Sequence, residues 1–202
     1  MSGSFLEEPP PSPQAQELFE EDLAEDGFVS NLTRVWAHQP DALRRLFALM
    51  SDVFEASGLT LRQRGILVTA AASTLGDAYC SLAWGGKLAR ASDPALAAGV
   101  LTGDDAGLTD QEKALADWAR RVAGDPNATT PADVQALRDC GLDDGQIFAV
   151  TTFVALRLAF STINDSLGAQ PDVQLAQSLP REVREAVTYG RPVAEAGAGG
   201  AA

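Results

Sequence analysis

Residues 75–85 read LGDAYCSLAWG, and most of what the sequence predicts about the fold and the site starts from this stretch. Asp77 follows a glycine that is placed to end one helix, and it can cap the next helix with Cys80 at the third helical position. Asp77, Cys80, Trp84 and Lys87 are spaced at i, i+3, i+7 and i+10, which puts them on one helix face. Free backbone amides and the helix dipole favour a thiolate at Cys80, whereas the Asp77 carboxylate opposes it. The sequence therefore leaves open whether the pKa of Cys80 is lowered or raised.

The rest of the chain carries repeated signals for helix starts and ends. Capping boxes occupy 60–63, 109–112 and 143–146, and no segment shows the two-residue alternation of a half-buried strand. The sequence therefore predicts an all-α fold with helices near 15–26, 28–37, 40–57, 61–75, 77–91, 94–101, 110–124, 131–140, 144–167 and 172–189.

One helical domain, at residues 14–189, is expected between two terminal segments. Residues 1–13 are rich in proline and predict an extended, mobile arm. Residues 190–202 are mostly small and predict a disordered tail.

Composition excludes several classes of function. The formal charge is −13, and a surface of that sign repels phosphate backbones, so we expect no nucleic-acid partner. One histidine and two cysteines cannot build a Cys/His zinc site, and no nucleotide-binding glycine motif is present, so no metal and no cofactor are expected. The longest apolar run, 147–160, is interrupted by polar residues, and the N-terminus does not resemble a secretory signal. We therefore expect a cytoplasmic protein without a membrane partner.

Four stretches resemble the carboxymuconolactone decarboxylase/alkylhydroperoxidase D (AhpD) superfamily, particularly its peroxidase-related branch. Their order and spacing agree with the family across roughly residues 30–172, at 59–68, 77–84, 108–115 with 134–144, and 163–168. The resemblance implies a single AhpD-like helical domain that forms a homo-oligomer. The apolar helix that contains the 147–160 run supports association, because one small domain would not comfortably bury so much apolar surface.

The resemblance also implies which positions carried chemistry in the redox-active members. There, one cysteine attacks the peroxide, a second resolves the product as a disulfide, and a glutamate and a histidine relay protons. Cys80 matches the attacking cysteine, Asp77 its resolving partner, Trp84 the histidine and Gly65 the glutamate. Loss of both relay groups removes acid–base assistance commonly worth about 10²–10⁴-fold, and loss of the second thiol removes self-contained turnover.

The substitutions predict a reshaped, apolar site for a small-molecule substrate. Asp77 is the candidate acid or base and Cys80 lines the site, while Trp84, Tyr79 and Gly65 shape the substrate cavity. We expect non-redox chemistry such as isomerisation, cyclisation or elimination.

Three alternatives to this hypothesis remain. The chain could be a single-cysteine hydroperoxidase, or a non-catalytic binding or scaffold protein. Locally, Asp77 could be only a cap, with Cys80 and Trp84 filling the core. An open cavity that reaches Asp77 would favour an enzyme at this site.

Overall fold

The computed structural model describes residues 3–195, and every regular element in that range is a helix, as predicted. The helices are α1 (Pro13–Glu25), α2 (Asn31–Trp36), α3 (Pro40–Ser57), α4 (Leu61–Leu75), α5 (Ala78–Ala91), α6 (Pro94–Thr102), α7 (Asp110–Gly124), α8 (Pro131–Asp139), α9 (Asp144–Ser166), α10 (Val173–Ser178) and α11 (Arg181–Ala186). A short 3-10 turn, Pro126–Ala128, joins α7 to α8.

The local start signals formed as predicted, with one error near the C-terminus. Thr60, Thr109 and Asp143 each form a complete capping box at the start of α4, α7 and α9. The single helix predicted over 172–189 is wrong, because the chain breaks between α10 and α11. Pro180 disfavours a helical conformation at Leu179, which is extended with φ −91° and ψ 150°.

Helix α4 is the centre of the domain. Every residue from Gly65 to Ala72 is buried, because α4 packs against α5, α7, α6 and α9. Helix α9 packs against α3, α4 and α7, so it is also a core helix. By length and composition alone α9 could cross a membrane, the one such helix in residues 3–195, but core helices of folded domains share those properties. The packing of α4 against α5 brings together the helices that carry the candidate site.

Both terminal segments lie against the helical body. Phe5 donates a backbone hydrogen bond to Leu167, and Gln170 donates one to Gly3. At the other end, Arg191 donates two hydrogen bonds to the backbone oxygen of Asp165. The mobility of the arm stays a prediction, and most of the predicted tail, 196–202, lies outside the described residues.

Homo-oligomerisation also stays a prediction. Leu61 and Phe148 are each 73% exposed on the single chain, and such side chains are candidates for contacts between copies. Light scattering at micromolar concentration tests it.

A buried thiol beside a cationic cavity

Asp77 is the cap that the sequence predicted. Gly76 ends α4 in the left-handed conformation, with φ of 74°, which turns the chain sharply into α5. Oδ1 of Asp77 accepts a hydrogen bond from the backbone nitrogen of Cys80 at 2.9 Å. The thiol therefore lies in the first turn of α5.

Cys80 is buried and its sulfur meets two side chains of α9. Nη2 of Arg157 donates to the sulfur at 3.3 Å, and the Ser161 hydroxyl donates to it at 3.5 Å. Burial nevertheless raises the pKa of the Cys80 thiol to about 12, and the lowering influence of Arg157 is too small to offset it. Asp77 adds to the rise. At neutral pH Cys80 is thus a neutral thiol. The sequence left open whether the pKa of Cys80 is lowered or raised, and in the structure it is raised.

The Asp77 carboxylate has no access to solvent. Asp77 is 0% exposed, and its Oδ2 has no hydrogen-bond partner within residues 3–195. The C-terminal segment packs against the chain on either side of it: a Cβ added at Gly190 would collide with the Gly76 oxygen and the Ala78 nitrogen, so only glycine fits there. Burial, and then the charge of Asp77, raise the pKa of Asp165 to about 6. Asp77 is thus an enclosed cap whose charge acts on the half-buried Asp165.

Tyr79 faces a different part of the protein. Its hydroxyl donates a very short hydrogen bond to Oδ2 of Asp172, and its ring packs with Val35 and Ala169. Burial, together with the Asp172 charge, raises the pKa of Tyr79 well above its ordinary value. The residue ties α5 to the start of α10.

Trp84 lies between the buried thiol and an open cavity. The guanidinium of Arg157 lies 5.3 Å from the ring centroid of Trp84, as does that of Arg64 at 5.2 Å. The ammonium of Lys87 lies 4.8 Å from the same centroid. Three cations therefore surround one half-buried indole, an arrangement in which each gains from the negative potential of a ring face.

A cavity of about 440 Å³ opens beside Trp84, between α4 and α5. Its lining residues are Leu61, Arg64, Gly65, Trp84, Lys87, Arg90 and Ala91. Of the five predicted site residues, Gly65 and Trp84 line it, whereas Asp77, Tyr79 and Cys80 do not. A Cβ at Gly65 would lie 3.3 Å from Cδ1 of Leu88, so the glycine lets α4 and α5 approach closely. A second cavity, between the proline-rich arm and α1, shares no lining residue with the cavity beside Trp84.

Sequence reasoning missed the two arginines of the site. Arg64 lies in the first turn of α4 and turns onto the rings of Phe54, Trp84 and Phe153, which no local sequence signal indicates. Arg157 carried a usable signal, because it stands alone in an apolar run. No group of three or more potential metal ligands occurs in residues 3–195.

Solved structures share this fold, although no family model and no curated protein sequence matches the chain. A peroxidase-related protein with an AhpD core from Ralstonia eutropha JMP134 is 24% identical, with a TM-score of 0.75 over 85% of this chain and 94% of that one. A peroxidase-related protein from Silicibacter sp. TM1040 is 20% identical, with a TM-score of 0.74 over 87% and 95%.

The debrominase Bmp8 also matches, at 13% identity, with a TM-score of 0.68 over 87% of this chain and 92% of that one. A cysteine-to-alanine variant of Bmp8 in complex with 2,3,4-tribromopyrrole has a TM-score of 0.67. The chain therefore has the AhpD-like fold of the peroxidase-related proteins.

Proposed function

We propose that the protein binds a small molecule with an apolar body in the cavity beside Trp84 and acts on it by non-redox proton transfer. The observation that carries the proposal is the cavity itself, about 440 Å³, which lies in the range of small-molecule sites. It is lined by Gly65 and Trp84, the positions that the family resemblance equates with the two proton-relay residues.

The state of Cys80 argues against thiol peroxidase chemistry. Only a thiolate attacks a peroxide efficiently, and Cys80 is a buried neutral thiol outside the cavity. The second cysteine, Cys140, ends α8, and its sulfur lies 3.7 Å from the backbone oxygen of Asp110. Cys80 therefore has no partner thiol with which to complete a redox cycle.

Lys87, rather than Asp77, is the group that can exchange a proton with a molecule in the cavity. Asp77 is enclosed, whereas Lys87 lines the cavity. Desolvation, and then the charge of Arg157, lower the pKa of Lys87, and Arg64 and Arg90 act in the same direction, against Glu25. A cationic lysine with a lowered pKa gives up its proton more readily near neutral pH, as a general acid requires.

The fold is compatible with this use. Bmp8, which shares it, is a debrominase, and its variant binds the small heteroaromatic 2,3,4-tribromopyrrole. At 13% identity this likeness supports only the statement that a protein of this fold can bind and act on a small molecule.

Binding can be tested through the three tryptophans. In a ¹⁵N-labelled sample each gives one indole signal, and the Trp84 signal is the one lost in Trp84→Phe. Titration with small aromatic molecules of mixed charge should shift the Trp84 signal, and the cavity-filling variant Ala91→Phe should reduce the response. Phe148→Ala, which removes an exposed side chain elsewhere, should leave it unchanged. If no molecule moves the Trp84 signal, the proposal is wrong.

Proton transfer is tested on the molecules that bind. In D₂O, a bound molecule with an acidic C–H should gain deuterium, measured by mass spectrometry, and Lys87→Met should abolish the gain even at a ligand concentration that saturates the variant. Binding without deuterium gain in the wild type would instead indicate a non-catalytic binding protein.

A further inference from the structure

The cavity beside Trp84 is lined by positive charge without a carboxylate. Arg64, Lys87 and Arg90 are among its lining residues, and none of the others is acidic. Arg157 adds a fourth cation from behind Trp84. This concentration of positive charge stands out in a chain whose formal charge is −13.

None of the three lining cations forms an ion pair within residues 3–195, although the charge of Glu25 acts on Lys87. Arg62, two residues from Arg64, forms an ion pair with Glu112 at 2.6 Å, and Arg120 pairs with Asp105 at 2.6 Å. By contrast, Arg64, Lys87 and Arg90 take part in no ion pair or hydrogen bond between side chains of residues 3–195. Nε of Arg64 is buried and has no hydrogen-bond partner there.

Contact with aromatic rings does not satisfy the hydrogen-bond donors of these cations. The Arg64 guanidinium lies over Phe54, Trp84 and Phe153, which offsets part of the cost of its desolvation. A guanidinium has five N–H donors, and ring faces are poor acceptors for them. Desolvation, and then the charge of Arg157, lower the pKa values of Arg64 and Lys87, a cost that a bound anion would offset.

The remaining lining is largely apolar. The Trp84 ring forms one wall, and Leu61, Gly65 and Ala91 offer no polar side-chain atom. A ligand that satisfies both halves of the cavity needs an apolar body against the ring and an anionic group toward the cations.

We infer that the ligand of this cavity is an organic anion, with a flat apolar body against Trp84 and one anionic group held by Arg64 and Lys87. The inference rests on the proposed function and names the chemical class of its ligand. Arg90 stands at the cavity as a further source of positive potential.

The test compares three probes with the same body and different charge. They are 2-naphthoate (anionic), 2-naphthamide (neutral) and 2-naphthylmethylamine (cationic), each titrated while the Trp84 indole signal is followed. We expect 2-naphthoate to bind at least about tenfold more tightly than the amide, as an ionic hydrogen bond provides, and the amine to bind most weakly. Equal affinities for the anion and the amide would overturn the inference while leaving the proposed cavity intact. No binding of any probe would contradict both.

Matched variants separate the effect of the cavity charges on binding from the effect of the protein's net charge. Lys87→Met and Arg64→Gln should each weaken 2-naphthoate binding at least about tenfold and leave the amide within about twofold. Arg45→Gln removes one positive charge from an exposed position on α3 and should change neither affinity. A loss in Arg45→Gln equal to that in Lys87→Met would contradict the inference. Thermal unfolding checks that each variant is folded. If Arg64→Gln does not fold, the comparison with Lys87→Met alone decides the test.

Discussion

Nη2 of Arg157 lies 3.3 Å from the sulfur of Cys80, yet the thiol remains neutral. A guanidinium beside a cysteine normally favours the thiolate. Here complete burial outweighs it, and the charge of Asp77 acts in the same direction as burial. The same guanidinium also lies 5.3 Å from the ring centroid of Trp84, so it contributes positive potential toward the cavity.

Cys80 should be nearly inert toward thiol reagents in the folded protein. With a pKa of about 12, its thiolate fraction at pH 8 is on the order of one in 10,000. Timed alkylation read by mass spectrometry should label Cys140 first and Cys80 only after unfolding. Labelling of both at similar rates without denaturant would mean that the thiol is accessible.

Asp77 should matter as a cap and not as an acid or base. Asp77→Ala removes the acceptor for the Cys80 amide and should cost about 1–2 kcal/mol in the free energy of unfolding. Asp77→Asn keeps a cap oxygen and should lose much less. Denaturant unfolding measures both. Loss of ligand binding in a fully folded Asp77→Asn protein would return Asp77 to the working site.

The stability of the fold should depend on Asp165 between about pH 4 and 6. Its folded pKa of about 6 lies above the ordinary 3.8, so the folded state retains a proton that the unfolded state has lost. The contribution is therefore present at low pH and is lost as the pH rises through 6.

The measurement is the difference in unfolding free energy between Asp165→Asn and the wild type. From pH 4 to 7 the variant should gain about 1 kcal/mol of unfolding free energy relative to the wild type. The gain is small because water screens a half-buried group. Asp77→Asn should reduce the effect, because the Asp77 charge contributes to the shift. A difference that does not vary with pH would contradict the assignment.

Arg157 should be dispensable for stability and useful for binding. It is a buried cation without a carboxylate partner, and its Nε has no hydrogen-bond partner among the described residues. Replacing such a group with an apolar side chain of similar length is often neutral or stabilising. Arg157→Met should thus unfold within about 1 kcal/mol of the wild type but bind 2-naphthoate more weakly. A large loss of stability would show that Arg157 is chiefly structural.

The helices and the Asp77 cap were predictable because their signals are local. Capping boxes, prolines and glycines act within four residues, and they placed α3, α4 and α7 at their observed bounds. Pro180 carried an equally local signal that the predicted single helix overlooked.

The site was predicted less well because it depends on contacts between distant residues. Arg157 is 77 positions from Cys80, and no local pattern reveals their contact. Tyr79 could have been placed better, since it immediately precedes Cys80 and helical spacing turns it to another face. Gly65 and Trp84 both line the cavity, and only the family resemblance linked them.

The most direct test of the central claim is a crystal structure of the protein with 2-naphthoate. The naphthalene ring should lie against Trp84 and the carboxylate within hydrogen-bond distance of Arg64 and Lys87, with Cys80 still enclosed behind Arg157. A ligand bound instead against the Cys80 sulfur, with Trp84 displaced, would contradict it.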